Sequence, residues 1–155
     1  MTDVVVAQDD PRADDVRALL EAHLGFANEH SPPEDVHALD LDGLLDPAVT
    51  FYSARREGQL LGIGALKELD PEHGELKSMH TVATSRRSGI GRSIVVHLVG
   101  VARARGYVRL NLETGSMEAF SPARSLYFAA GFRPCGPFAL YQASPNSTFM
   151  RLELR

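Results

Sequence analysis

The stretch Arg86-Arg87-Ser88-Gly89-Ile90-Gly91 lies between a strand-like run and a helix-like run. Residues 75–82 have the length and partial alternation of a strand, and apolar residues recur at helical spacing over residues 90–102. The first backbone N–H groups of a helix have no intrahelical partner and lie at the positive end of the helix dipole. The two glycines let the backbone come close to a ligand, and the arginines add charge. The stretch therefore predicts a phosphate-binding turn that opens into a helix.

Two familiar nucleotide-binding templates do not fit this turn. A P-loop requires Gly-x-x-x-x-Gly-Lys-Ser/Thr, yet Arg92 follows Gly91 and no glycine lies five residues earlier. A dinucleotide fingerprint requires a third glycine where this chain has Ile94. The turn instead fits the pattern Arg/Gln-x-x-Gly-x-Gly/Ala.

A second motif follows at residues 120–132. The pattern is Ala-x-x-Leu-Tyr, followed by three residues of any type and then Gly-Phe. The residues that match it are Ala123, Leu126, Tyr127, Gly131 and Phe132. With both motifs in order, the chain resembles the GNAT superfamily of acyl-CoA-dependent N-acyltransferases over about residues 49–154. One position departs from the family pattern, because the usual Asn that helps hold the cofactor is Phe120.

The element pattern predicts one α/β domain over residues 1–155, in the order β-α-α-β-β-β-α-β-α-β-β. The resemblance implies the GNAT fold, a mixed central sheet with splayed parallel strands flanked by helices. Before residue 45, the chain is predicted to hold a helix from Asp10-Pro11 to Gly25 and a second from Ser31 to about Leu39. Residues 40–43 are predicted to break the helical pattern.

Composition and charge narrow the class of protein. The net charge is −4, and the single cysteine, Cys135, excludes an internal disulfide framework and a Cys-x-x-Cys metal site. No apolar run approaches the roughly 20 residues that span a bilayer, and the first residues do not resemble a signal peptide. We therefore expect a cytoplasmic protein without a metal, a membrane contact or a nucleic acid partner.

The resemblance implies acetyl-CoA as co-substrate and assigns it to two stretches. The pyrophosphate would bind the backbone of Arg87, Ser88, Gly89, Ile90, Gly91 and Arg92, with Arg86 and Arg87 as charge partners. The pantetheine arm is an amide chain and can pair with a strand edge as a peptide does. By resemblance that edge is the backbone from Met79 to Thr81, where an N–H group would also stabilise the oxyanion of the reaction.

Acyl transfer to an amine also needs an acid for the departing thiolate and a base for the amine. Tyr127 lies where the family carries its catalytic tyrosine, and a phenol has a pKa close to that of a thiol. Glu113 and Glu75 lie where different members carry a glutamate base. Both stay open, with Glu113 favoured because burial among apolar neighbours would raise its pKa.

The histidines are expected to be structural. His23, His30 and His37 recur every seven residues, but the predicted break at residues 31–33 would stop them from sharing a helix face. His80 is a candidate base or substrate contact, although its neighbours favour an ordinary strand residue.

We interpret the chain as an N-acetyltransferase that moves the acetyl group of acetyl-CoA directly to a primary amine, of a small molecule, in a ternary complex. A non-catalytic acyl-CoA-binding sensor and a protein N-terminal or lysine acetyltransferase remain alternatives. A nucleotide-binding protein that uses the same turn is a third alternative, and it would prefer ATP or NAD to coenzyme A. Homodimers are frequent in the family, so a homodimer is possible here.

Overall fold

The computed structural model describes residues 3–86 and 88–155, and these residues form seven strands and four α-helices. The strands are β1 Val5–Gln8, β2 Val49–Arg56, β3 Gln59–Asp70, β4 His73–Thr81, β5 Arg109–Gly115, β6 Arg133–Cys135 and β7 Ser147–Glu153. The helices are α1 Asp14–His30, α2 Leu41–Leu44, α3 Ile90–Ala104 and α4 Ser121–Ala129. The predicted order of strands and helices is confirmed.

The strands form one mixed sheet in the order β1-β2-β3-β4-β5-β7-β6. β4 and β5 are parallel, and all other neighbours are antiparallel. β4 and β5 pair from His73 opposite Arg109 to Leu76 opposite Leu112, and beyond this point they part. β4 stays paired with β3 and β5 stays paired with β7. The predicted splay of two parallel strands is confirmed.

Helices cover both faces of this sheet. On one face α3 buries Ile94, Val95 and Leu98 completely against the apolar side chains of the central strands. On the other face α1 packs through Val16 and Leu20. The two helices therefore enclose the end of β4 from opposite sides.

A β-bulge at Ser78 changes the direction of the side chains at the end of β4. Ser78 has a φ of +56°, and the pairing with β3 slips so that Lys77 opposes Ala65 while His80 opposes Ile63. After the bulge, Met79 packs into the core beneath α3. His80 then lies on the face covered by α1, where it contacts that helix.

The predicted start of the first helix at Pro11 is wrong. The residues after Asp10 form a turn, because the Asp10 carboxylate accepts a hydrogen bond from the Arg12 N–H at 2.9 Å. The Asp10 carbonyl accepts another from the Ala13 N–H at 3.1 Å. Ala13 is extended, so α1 begins at the next residue, Asp14.

The predicted end of this helix at Gly25 is also wrong, since α1 continues to His30. A glycine inside a helix costs about 1 kcal/mol relative to alanine. The burial of Val16 and Leu20 offsets a cost of this size. His23 and His30 consequently share one helix, contrary to the sequence interpretation.

The predicted second helix from Ser31 to Leu39 is a single 3₁₀ turn, Pro33–Asp35. The helix forms later, at α2, within the segment that was predicted to break the pattern. Asp40 explains the shift, because its side chain accepts a hydrogen bond from the Gly43 N–H at 2.9 Å and caps the helix.

Leu98→Ala should lower the free energy of unfolding by about 2–5 kcal/mol, because it leaves a cavity beneath α3. Leu98 is 0% exposed, whereas Val96 on the same helix is 58% exposed. Val96→Ala is therefore the matched control and should change the free energy by less than about 1 kcal/mol. Urea denaturation at pH 7 measures both variants, and equal losses would contradict the packing of α3.

Candidate active site

The turn between β4 and α3 has the geometry of an anion site. Gly89 precedes the helix with a φ of +85°, a left-handed conformation that favours glycine. The first helical hydrogen bond runs from the Ser93 N–H to the Gly89 carbonyl at 3.0 Å. The N–H groups of the three residues between them precede the first closed turn and lie at the positive end of the dipole.

The structure gathers the sequence-predicted cofactor residues at this place. Met79 and Thr81 end β4, and the turn and first helical residues after them include Arg86, Ser88, Gly89, Ile90, Gly91 and Arg92. The Ser88 hydroxyl donates to the Ser85 carbonyl. A Cβ on Gly91 would lie 3.0 Å from Leu126 of α4, so glycine also allows close packing there. Arg87 lies outside the described residues.

Polar side chains line the parting of β4 and β5 on the face that α1 covers. Leu76, Leu110 and Leu112 belong to the core beneath α3. Strand side chains alternate between faces, which puts the following residues on the opposite face: Glu75, Lys77, Asn111 and Glu113. The sheet therefore presents two carboxylates and one ammonium group beside the parting.

Glu113 and Tyr127 lie near enough for the Glu113 charge to act on the Tyr127 phenol. Glu113 directly follows the last residue of β5 that pairs with β4. Burial raises the pKa of its carboxyl to about 7, although the Ser147 hydroxyl and the Lys77 charge act to lower it. Tyr127 on α4 is buried, and burial together with the Glu113 charge raises the pKa of its phenol well above the ordinary value. At neutral pH the tyrosine is therefore protonated, whereas both protonation states of the glutamate are populated.

Glu75 is bound within a buried cluster. Its Oε2 atom accepts hydrogen bonds from Lys77 Nζ at 3.1 Å and from the Tyr141 hydroxyl at 2.5 Å. Lys77 Nζ also donates to the Tyr141 oxygen at 2.7 Å. Burial and the Glu75 charge raise the pKa of the Tyr141 phenol. Sequence reasoning missed Tyr141, which lies in the irregular segment 136–146 between β6 and β7, where no motif or period marks it.

A second set of contacts joins segment 136–146 to the segment after α1. The Asp35 carboxylate accepts hydrogen bonds from Ser144 Oγ at 2.9 Å and from Asn146 Nδ2 at 3.1 Å. The His37 ring lies edge-on to Tyr141 at 4.9 Å between centroids. A cavity of about 1200 Å³ opens beneath these contacts, with Glu75 and Asn111 in its lining. These two segments therefore form walls of a cleft on the α1 face of the sheet.

Phe120 lies between the end of β5 and α1. Its ring packs against Gly115, the last residue of β5, where a Cβ would overlap it. From α1, Phe26 approaches the same ring at 5.3 Å and His30 at 6.4 Å between centroids. The side chain that replaces the family's usual Asn thus contacts α1.

The part of the chain that the structure describes shows neither a cluster of metal-ligating side chains nor a membrane-spanning helix. Residues 3–86 and 88–155 contain no group of three or more His, Cys, Asp or Glu side chains that could hold a metal ion. None of the helices formed by these residues has both the length and the apolarity to cross a membrane.

Comparison with known proteins identifies the family. The sequence profile of the acetyltransferase (GNAT) family matches residues 14–132. The chain belongs to the GNAT acetyltransferase family. It is accordingly an enzyme of the acetyl-CoA-dependent N-acetyltransferase class.

Two relatives match nearly the whole chain. The uncharacterized N-acetyltransferase YsnE of Bacillus subtilis (strain 168) is 49% identical over 146 residues, 94% of this chain and 97% of that protein. The IAA acetyltransferase of Azospirillum brasilense is 38% identical over 156 residues, 99% of this chain and 100% of that protein.

Solved structures share the fold. A Klebsiella pneumoniae protein classed with the acyl-CoA N-acyltransferases superposes with a TM-score of 0.82 at 28% identity, over 98% of both chains. An aminoglycoside 6'-N-acetyltransferase in complex with coenzyme A superposes with a TM-score of 0.72 at 13% identity, over 97% of both chains. At this identity the second comparison shows a common fold alone.

The raised pKa of Glu113 predicts a pH-dependent stability. The fold favours the protonated carboxyl, so its stabilising effect is complete below the unfolded pKa of about 4.3 and is lost as the pH rises through the folded value. That folded value is about 7. Glu113→Gln removes the ionisable group. We therefore expect the free energy of unfolding of this variant, relative to that of the wild type, to increase by about 1–3 kcal/mol from pH 5 to pH 8.

Urea denaturation at both pH values measures this gain. Glu118→Gln, at an exposed position after the same strand, is the control and should show no comparable change with pH. A gain for Glu113→Gln no larger than that of the control would contradict the burial of the Glu113 carboxyl.

Proposed function

We propose that this enzyme transfers the acetyl group of acetyl-CoA directly to the primary amine of a small molecule in a ternary complex. The observation that carries the proposal is the parting of β4 and β5 next to Glu113 and Tyr127. The phosphate-binding turn follows at the end of β4, so one short region offers a binding site for each part of the cofactor and two groups for proton transfer.

Acetyl-CoA would bind along the end of β4 and the start of α3. The N–H groups of Ile90, Gly91 and Arg92 suit the pyrophosphate, and Arg86 can add a charge. The backbone of Met79–Thr81 faces a gap where β5 has departed, so its free edge can pair with the amide groups of the pantetheine arm. The common fold of the coenzyme A complex of the aminoglycoside enzyme supports this path.

The two side chains at the parting would then move the protons. The amine attacks the thioester carbonyl carbon, and Glu113 takes the proton that the nitrogen loses. Tyr127 gives its phenolic proton to the departing sulfur, and the proton on Glu113 can restore it. A base that titrates near 7 and an acid that stays protonated at that pH suit these opposite tasks.

Glu75 would support the site and leave the role of base to Glu113. One oxygen of its carboxylate already accepts two hydrogen bonds, from Lys77 and Tyr141. Because Tyr141 belongs to segment 136–146, Glu75 fixes a wall of the cleft. The position of Glu75 in the sequence suggested a base, and this anchoring role also accounts for a glutamate at that position.

A small amine is the acceptor that these walls favour. The contacts of Asp35 with Ser144 and Asn146 join the two walls across the α1 face and bound the cleft. The charges of Glu75 and Asp35 both act to raise the pKa of Glu113, so they create a negative potential that attracts an ammonium group. The name of the Azospirillum relative, an IAA acetyltransferase, also indicates a small acceptor.

Tyr127→Phe and Glu113→Gln should each lower kcat by about 10²-fold or more, because each removes a proton-transfer group. Thiol release from acetyl-CoA with a panel of small primary amines measures the rate. The dissociation constant of acetyl-CoA, measured by calorimetry, should stay within about threefold of the wild type, since neither group holds the cofactor in this proposal.

Tyr52→Phe is the matched control, because Tyr52 is also buried and its ring contacts His97 of α3, which has no part in the proposed mechanism. Its kcat should equal that of the wild type. Unchanged turnover in Tyr127→Phe would remove the tyrosine from the mechanism, and unchanged turnover in Glu113→Gln would remove the glutamate.

A further inference from the structure

A pair of histidines joins α1 to the end of β4, and the proposed mechanism leaves it unused. His23 Nδ1 and His80 Nδ1 are 3.1 Å apart, within hydrogen-bond distance. The two rings meet edge to face, with 5.0 Å between centroids. One imidazole must donate and the other must accept, so the two rings carry their protons on different nitrogens.

Both rings are neutral at physiological pH. Burial, with smaller effects of His80 and Lys77, lowers the pKa of His23 to about 4. Burial, with a smaller effect of Arg86, lowers the pKa of His80 to about 4. The pair is therefore a fixed hydrogen bond that persists through the working range of an enzyme.

The pair lies in a cluster of rings that spans the parting of the strands. This ring cluster consists of His23, Phe26, His30, His80 and Phe120. Phe26 contacts His80 at the end of β4 and Phe120, which packs on the end of β5. The cluster thus covers the α1 side of the gap, the side from which an acceptor would approach a thioester held between the strands.

His80 presents one unused nitrogen in this cluster. Its Nδ1 atom is engaged by His23, while its Nε2 atom makes no hydrogen bond within residues 3–86 and 88–155. The backbone of the same residue belongs to the Met79–Thr81 edge that would bind the pantetheine arm. An atom on the His80 ring therefore lies within one side chain's length of the proposed reaction site.

We propose that His80 contacts the acceptor, accepting a hydrogen bond from the attacking amine at Nε2, and that His23 is the positioning residue that fixes the His80 ring. In this arrangement His80 donates its Nδ1 proton to His23 Nδ1, which leaves a lone pair on His80 Nε2. His80 orients the amine, and Glu113 remains the group that takes the proton. This inference rests on the proposed transfer to an amine.

Matched amide variants test which nitrogen of His80 acts. In His80→Gln the amide group reaches the place of Nε2 but loses the bond to His23, whereas His80→Asn keeps a polar group at Nδ1 and loses Nε2. With phenethylamine as acceptor, we expect His80→Asn to lower kcat/KM about tenfold and His80→Gln by about threefold at most. A merely structural role predicts the reverse order, because His80→Asn preserves the contact with α1.

The same logic tests His23 as the positioning residue. His23→Asn keeps a polar group at Nδ1 and should retain kcat/KM within about threefold, while His23→Leu should lose about tenfold. The dissociation constant of acetyl-CoA should not change in any variant. His97→Gln, on α3 outside the ring cluster, is the control and should behave as the wild type. Equal kcat/KM values for His23→Leu and the wild type would overturn the positioning role.

A binding measurement separates this inference from the proposed function. The ligand is N-acetylphenethylamine, and calorimetry measures its binding to the complex of each variant with coenzyme A. We expect the same order of effects as for kcat/KM, with weaker binding in His80→Asn than in His80→Gln. That order without any turnover of phenethylamine would support the His80 contact and reject the proposed transfer. Turnover with equal effects of both His80 variants would reject the His80 contact alone, and the absence of binding and turnover would reject both.

Discussion

The site depends on the limited pairing of β4 with β5. The two parallel strands share only four residue pairs, and each then follows its antiparallel neighbour away from the other. Backbone groups of β4 that have no partner on β5 at this gap can pair with a ligand that resembles a peptide. The glycine turn, Glu113 and Tyr127 all border the same gap, so in the proposed mechanism binding and chemistry follow from one irregularity of the sheet.

The two faces of the sheet have different compositions and different roles in the account. The face beneath α3 is apolar and holds the position of the helix whose N-terminus has the geometry of an anion site. The face beneath α1 carries the charged and imidazole side chains, and the bulge at Ser78 turns His80 onto that face. A strand without the bulge would alternate regularly, and the contact between His80 and α1 would not form in this register.

The sequence predicted the features that local patterns determine. The turn at Gly89 is such a case, since its φ of +85° is a left-handed conformation that favours glycine. The partners of Glu75 and the pairing of His23 with His80 depend on contacts across the fold, and no period or motif encodes them. The segments before residue 45 and after residue 135 were the least predictable because tertiary contacts such as Asp35 to Ser144 shape them. Parts of these segments also line the cleft on the α1 face.

Hydrogen–deuterium exchange of the backbone amides, with and without saturating acetyl-CoA, tests the central claim most directly. The account predicts that acetyl-CoA slows exchange at Met79–Thr81 and at the first three residues of α3, because these N–H groups would bind the pantetheine arm and the pyrophosphate. Gly89→Val, which forces a β-branched residue into a left-handed conformation, should abolish both effects. Binding of acetyl-CoA that leaves the exchange of Met79–Thr81 unchanged would contradict the account.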